Sequence, residues 1–137
     1  MAAKEMYDYL SNVTPDYTTA LNIKPSGTIK EIGFMNQQVD VYDDGSETRI
    51  SWDNDPIFHV EIEWQYLSEA DCGTVIDHYY AVAKGNGRAR TIRWTHPTDG
   101  HDYCVRFDCD MPRNISQPEI YSIPPIRFKV LGYYTPA

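Results

Sequence analysis

The stretch Ile57-Phe58-His59-Val60-Glu61-Ile62-Glu63-Trp64 alternates without a break, with Phe58, Val60, Ile62 and Trp64 on one side and His59, Glu61 and Glu63 on the other. Side chains along a strand point alternately to opposite faces, so this is a strand with one buried and one solvated face, as in an antiparallel sheet. Past Trp64 the period changes. Ser68 followed three residues later by Asp71 resembles a capping box with Asp in place of Glu. Behind it Cys72, Val75, Ile76, Tyr79, Tyr80 and Ala83 recur at helical spacing. The spacing predicts a helix over 69–83, stopped by Gly85 and Gly87, with Ile76 on its core-facing side.

Beyond the glycines, Thr91-Ile92-Arg93-Trp94 and Tyr103-Cys104-Val105-Arg106-Phe107 flank the turn-rich loop 96–101 and predict a hairpin. Ile126 to Leu131 alternates again and predicts the closing strand, with Pro124-Pro125 placed before it because proline cannot donate to a central ladder. On the other side, Ile29 to Met35, Val39 to Tyr42 and Arg49 to Trp52 are short strand candidates, the last two separated by the turn Asp43-Asp44-Gly45-Ser46. Residues 1–28 show little periodicity. Residues 1–35 are therefore expected as an N-terminal arm, and 36–137 as a single β-rich domain. The fold class is β-rich α+β, a small antiparallel β-sandwich or barrel with one flanking α-helix; one helix cannot supply the crossovers of a parallel sheet.

A chain of 137 residues with twelve basic and twenty acidic side chains carries a net charge of −8, which disfavours wrapping of phosphate backbones. Residues 1–80 hold 4 basic and 15 acidic groups and residues 81–137 hold 8 and 5, so the two parts of the chain have opposite electrical character. There is no apolar leader and no stretch long enough for a membrane span, so folding in a cytosol without membrane contact is expected. Three cysteines, Cys72, Cys104 and Cys109, do not make a disulfide framework.

No phosphate-loop, dinucleotide, nucleophile-elbow or zinc-protease motif occurs, and Gly85-Asn86-Gly87 reads as a turn. His96, His101, Cys104 and Cys109 are soft ligands, but along a straight strand the two thiols diverge, so no metal is expected there and no cofactor elsewhere. Asp40, Asp43, Asp44, Asp53 and Asp55 read as solvated turn residues and not as an acid–base pair. Lys84, Arg88, Arg90 and Arg93 form a basic run that suits a solvated hairpin or an acidic protein partner better than a nucleic acid.

Taken in order, Tyr42-Asp43-Asp44-Gly45 with Arg49, the strand to Trp64, the capped helix ending at Lys84-Gly85, Trp94-Thr95-His96-Pro97, and the strands 103–107 and 126–130 resemble the minor tail, or distal tail, proteins of long-tailed bacteriophages, in particular the lambda minor tail protein M family. The likeness covers about residues 40–134 and lies in the order of six landmarks: an aromatic-x-Asp-Gly turn followed by Arg, a strand running into a helix, a glycine, a Trp-Thr-x-Pro segment and two closing strands. The chain departs from the family in its longer front and in the Asp43-Asp44 pair, where an aromatic residue or glycine is more usual.

The resemblance implies a tail-tube-like β fold and a structural, non-enzymatic virion protein, made in the host cytoplasm. It implies a ring, usually of six copies, that joins the tail tube to the tip or baseplate and leaves a channel through which DNA passes without specific binding. Its partners would be further copies of the chain, the tail tube protein and the tail tip or hub proteins. Within such a ring Arg88, Arg90 and Arg93 are the expected contacts for Asp43 and Asp44 of the next copy. A close variant is the tube subunit itself. The reading from another class is a carbohydrate-binding or hydrolytic sandwich using the carboxylates with Trp52, Trp94, Tyr133 and Tyr134.

Overall fold

The computed structural model describes residues 7, 9–52, 56–98, 100–117 and 120–135. Among the described residues nine strands and one helix follow one another as β1 (Tyr17–Leu21), β2 (Ser26–Phe34), β3 (Gln37–Val41), β4 (Glu47–Ser51), β5 (Ile57–Leu67), α1 (Glu69–Tyr80), β6 (Ile92–Thr95), β7 (Asp102–Phe107), β8 (Asn114–Gln117) and β9 (Ile120–Tyr134). The fold is β-rich α+β. Seven strands form an open sheet in the order β1-β6-β7-β9-β5-β2, with β8 against the early part of β9, while β3 and β4 pair only with each other. Among the named strands every pairing is antiparallel except β1 with β6, so the sheet is mixed at that edge, and the isolated Asn12–Tyr133 bridge is parallel too.

β5 buries Phe58, Val60, Ile62 and Trp64, the face its alternation marks. It continues to Leu67 through Tyr66, whose positive φ of 56° accompanies a shift in the β5–β9 register. Val105, Phe107, Phe128, Val130, Ile92 and Trp94 complete the buried face, with Phe107 packed edge-on against Phe128. Helix α1 starts where expected, Ser68 accepting the Asp71 N–H at 3.2 Å, and lays Cys72, Val75 and Tyr79 on the core. Ile76 is only partly buried and Tyr80 is exposed, whereas His78 is buried and returns its Nδ1–H to the Thr74 carbonyl. The helix ends at Tyr80 and not at residue 83: Ala81 is extended, and Gly85 then folds back to donate to the His78 carbonyl at 2.8 Å. A Cβ at Gly85 would strike that same carbonyl.

The front of the chain corrects the expected arm. Tyr7 is fully buried between Phe58 and Tyr103, and its hydroxyl donates to Glu31 at 2.9 Å. Glu31 also accepts from His96 Nε2; because His96 Nδ1 accepts the Thr98 N–H, the Nε2 proton is the one donated to Glu31. Residues 11–13 continue the ladder beside Tyr133, crossing so closely over Gly132 that any Cβ there would meet the Ser11 carbonyl. β1 is fastened to the start of β6 by two reciprocal bonds, Asp16 N–H to Thr91 Oγ1 at 2.8 Å and Thr91 N–H to the Asp16 carboxylate at 3.0 Å. What looked like an extension supplies two strands of the sheet and a core aromatic.

The prolines are the second correction. Pro124 and Pro125 lie inside β9, because the register passes from Ile62↔Ile126 to Trp64↔Ile123 and places two residues opposite one. At such a bulge the missing N–H breaks no ladder bond.

Candidate assembly surfaces

The β3–β4 ribbon stands apart from the rest. Trp52 N–H to the Asn36 carbonyl closes its base, and Gly45, at φ 86°, turns its tip. Every residue of β4 is exposed, and of β3 only Asp40 is partly covered. Val39, Val41, Tyr42, Ile50 and Trp52 all project into solvent from it. The register opposes Val39 to Arg49, Val41 to Glu47 and Gln38 to Ile50, so apolar groups fall on both faces and neither face forms a core.

Asp43 and Asp44 sit at the ribbon tip. Asp44 accepts the Ser46 N–H at 2.9 Å and the Ser46 hydroxyl at 2.6 Å, and these two bonds hold its carboxyl below the usual carboxylate value. Asp53 and Asp55 lie outside the described residues.

The three arginines expected to form one contact are separated by their partners. Arg88 is half-exposed and 3.4 Å from Asp110. Arg90 donates to the carbonyls of Val82 and Asp16, both at 3.3 Å. Arg93 is committed within the chain: Nε donates to Asp102 at 2.8 Å, Nη2 donates to the same carboxylate, Nη1 donates to the Thr18 carbonyl at 3.2 Å, and the guanidinium lies over the Tyr134 ring. Arg93 is thus held within its own chain. The hairpin register carries the signal, since Arg93↔Cys104 and Thr95↔Asp102 make Arg93 and Asp102 diagonal neighbours.

A cationic cluster that the spacing along the chain did not indicate lies on the solvent face of β7, β9 and β5. Arg106 and Arg127 share Asp108 at 3.2 and 3.0 Å, and Lys129 lies opposite Arg106 on one side and His59 on the other. Burial opposes ionisation of Asp108, but Arg127 and Arg106 together pull its carboxyl below the usual value. Burial pushes the His59 imidazole down, and Arg127 and Lys129 push it further, against the opposite pull of Asp108. Cross-strand alternation of sequence-distant residues builds this face.

The possible zinc ligands have other surroundings. Cys109 Sγ accepts the Arg127 N–H at 3.3 Å, Cys104 is buried, and burial raises both thiols. Among the described residues no three His, Cys, Asp or Glu side chains are grouped to hold a metal. Of the aromatics considered as a sugar platform, Trp52 is 62% exposed but Trp94 is 1% exposed, packed on His96 and Phe128 inside the core. No helix among the described residues is long and apolar enough to cross a membrane. Compared with models of protein families and with curated proteins, the chain matches none.

Proposed function

We propose that the chain is a structural subunit of a bacteriophage tail that assembles into a ring, usually of six copies, at the distal end of the tail tube. The ring joins tube to tip or baseplate and leaves a lumen for DNA; the tube subunit itself is the close variant. The order of landmarks from Tyr42 to Val130 supports the family, and the β3–β4 ribbon supports assembly. A two-stranded hairpin exposed on both faces is marginal in water, and one carrying this much apolar surface is stabilised when a partner covers it. A ring needs two different, complementary surfaces on each copy, and an acidic ribbon with a cationic sheet face meets that requirement.

Sedimentation and negative-stain imaging of the purified chain test this. Closed rings with a central opening are the expected result. A chain that remains monomeric from micromolar to millimolar concentration, at low and high salt, overturns it.

A further inference from the structure

A groove of about 350 Å³ opens on the solvent face where Tyr9, Leu10 and Val13 pass Ile57, Lys129 and Leu131. It exists because β5 begins at Ile57 while residues 11–13 take over the pairing with β9 only at Tyr133. Its lining is mixed, the side chains of Leu10, Val13, Ile57 and Leu131 standing beside polar groups in about equal measure, and Lys129 forms part of its wall. Lys129 makes no hydrogen bond or ion pair among the described residues, while Arg106 and Arg127 beside it share the single carboxylate of Asp108. With Glu61 opposite Arg127 counted beside Asp108, three cations face two carboxylates, so this face carries a surplus of positive charge next to a slot of mixed lining.

The ribbon tip has the complementary order, the exposed ring of Tyr42 followed by the carboxylates of Asp43 and Asp44, whose described hydrogen bonds all stay within the ribbon. We propose that the groove rimmed by Lys129 receives the Tyr42-Asp43-Asp44 tip of a second copy, the ring entering the slot and the carboxylates meeting Lys129 and its arginine neighbours. This rests on the self-assembly proposed above and names where one copy meets the next. The ribbon leaves the body at Phe34, whose ring stacks on His59 beside Lys129, and strands of five residues carry the tip about 17 Å away. Arg88, Arg90 and Arg93 are weaker receivers, each already engaged by Asp110, by two carbonyls, or by Asp102 and a carbonyl.

The test combines cross-linking with charge reversal. A photo-reactive benzoylphenylalanine in place of Tyr42 is expected to cross-link to residues 56–57 or 129–131 of another copy. Lys129→Glu is expected to weaken assembly about tenfold, and Asp43→Lys in the same chain to restore it. Lys129→Ala, with a melting curve, serves as the second variant should the reversal disturb folding. If the protein assembles but the cross-links map elsewhere, or if both Lys129 variants assemble like the parent, the docking site is wrong and the ring reading stands. If the parent never assembles, both fall.

Discussion

β5 and the β3–β4 ribbon are built from the same kind of alternating sequence and meet opposite fates. In β5 four successive apolar side chains share one face, β9 and β2 pair with it on either edge, and helix α1 covers the buried side. In the ribbon the apolar residues are split between two faces and each strand has a single neighbour. Alternation thus specifies a strand, but burial requires that the apolar set on one face be large enough to hold a second layer. A hydrophobic residue in the ribbon therefore stays on the surface of the chain.

The sharpest way to break the comparison is to place a carboxylate in each region. Val75→Asp, at a fully buried position of α1, is expected to unfold the domain, since an unpaired buried carboxylate costs several kcal/mol, comparable with the stability of a small domain. Val41→Asp, at a ribbon position 67% exposed, is expected to change stability by no more than about 0.5 kcal/mol. Ile76→Asp should fall between them, because Ile76 only borders the core. Chemical denaturation of the three variants checks the order; equal midpoints for Val75→Asp and Val41→Asp would abolish the distinction.

Next in size is Gly132→Ala. The added methyl group would collide with the Ser11 carbonyl and the Val13 side chain, so the front segment must shift away from β9, at a cost of about 1–3 kcal/mol. Hydrogen exchange sharpens the result: protection should drop at Val13 and Tyr133, whose N–H groups bond across this contact, and persist at the β5–β9 register.

These two sites mark what could be read in the sequence. The face of β5, the Ser68 cap and the β6–β7 hairpin follow from local periods of two and of about four residues. β1 does not: of its five residues only Leu21 is fully buried, so it shows no alternation, and its place is set by Asp16 and Thr91, which are 75 positions apart. The burial of Tyr7 depends likewise on Glu31 and His96, contacts with no local trace. The Pro124-Pro125 pair follows a rule about ladders that is sound, but a bulge in the partner register suspends it. Charge spacing located the acidic tip and missed the cationic face, because Arg106, Arg127 and Lys129 meet only across strands.

The same contrast between covered and solvated positions separates two arginines outside both regions, Arg93 in β6 and Arg88 in the turn after α1. Arg93→Ala is expected to cost about 1–2 kcal/mol by leaving Asp102 without its main cation, less than a wholly buried pair would because Arg93 keeps a quarter of its side-chain exposure. Arg88→Ala, whose partner Asp110 is almost entirely exposed, is expected to cost no more than about 0.5 kcal/mol. Thermal unfolding of both variants separates a structural arginine from a solvated one, and equal losses would contradict the partners assigned to them.

The smallest effect is expected from His59, which joins the two regions by stacking on Phe34 at the ribbon root while facing Asp108, Arg106, Arg127 and Lys129. Its folded value lies below the ordinary 6.5, so on acidification the unfolded chain takes up its proton first. Where the unfolded state binds more protons, stability rises with pH; the His59 contribution is therefore intact above about pH 6.5 and is lost as pH falls from there through the lower folded value. Asp108 has the same sign in a lower window, beginning to lose its contribution near the ordinary carboxylate value of 3.8 and continuing below it. His59→Gln removes the first loss and leaves the second. Its melting temperature should vary less than the parent's between pH 7 and pH 5, and the two curves should run parallel in the acid range where Asp108 titrates. A parent whose stability is flat between pH 7 and pH 5 would mean that the imidazole is solvated, and that the stack on Phe34 does not hold it among the cations.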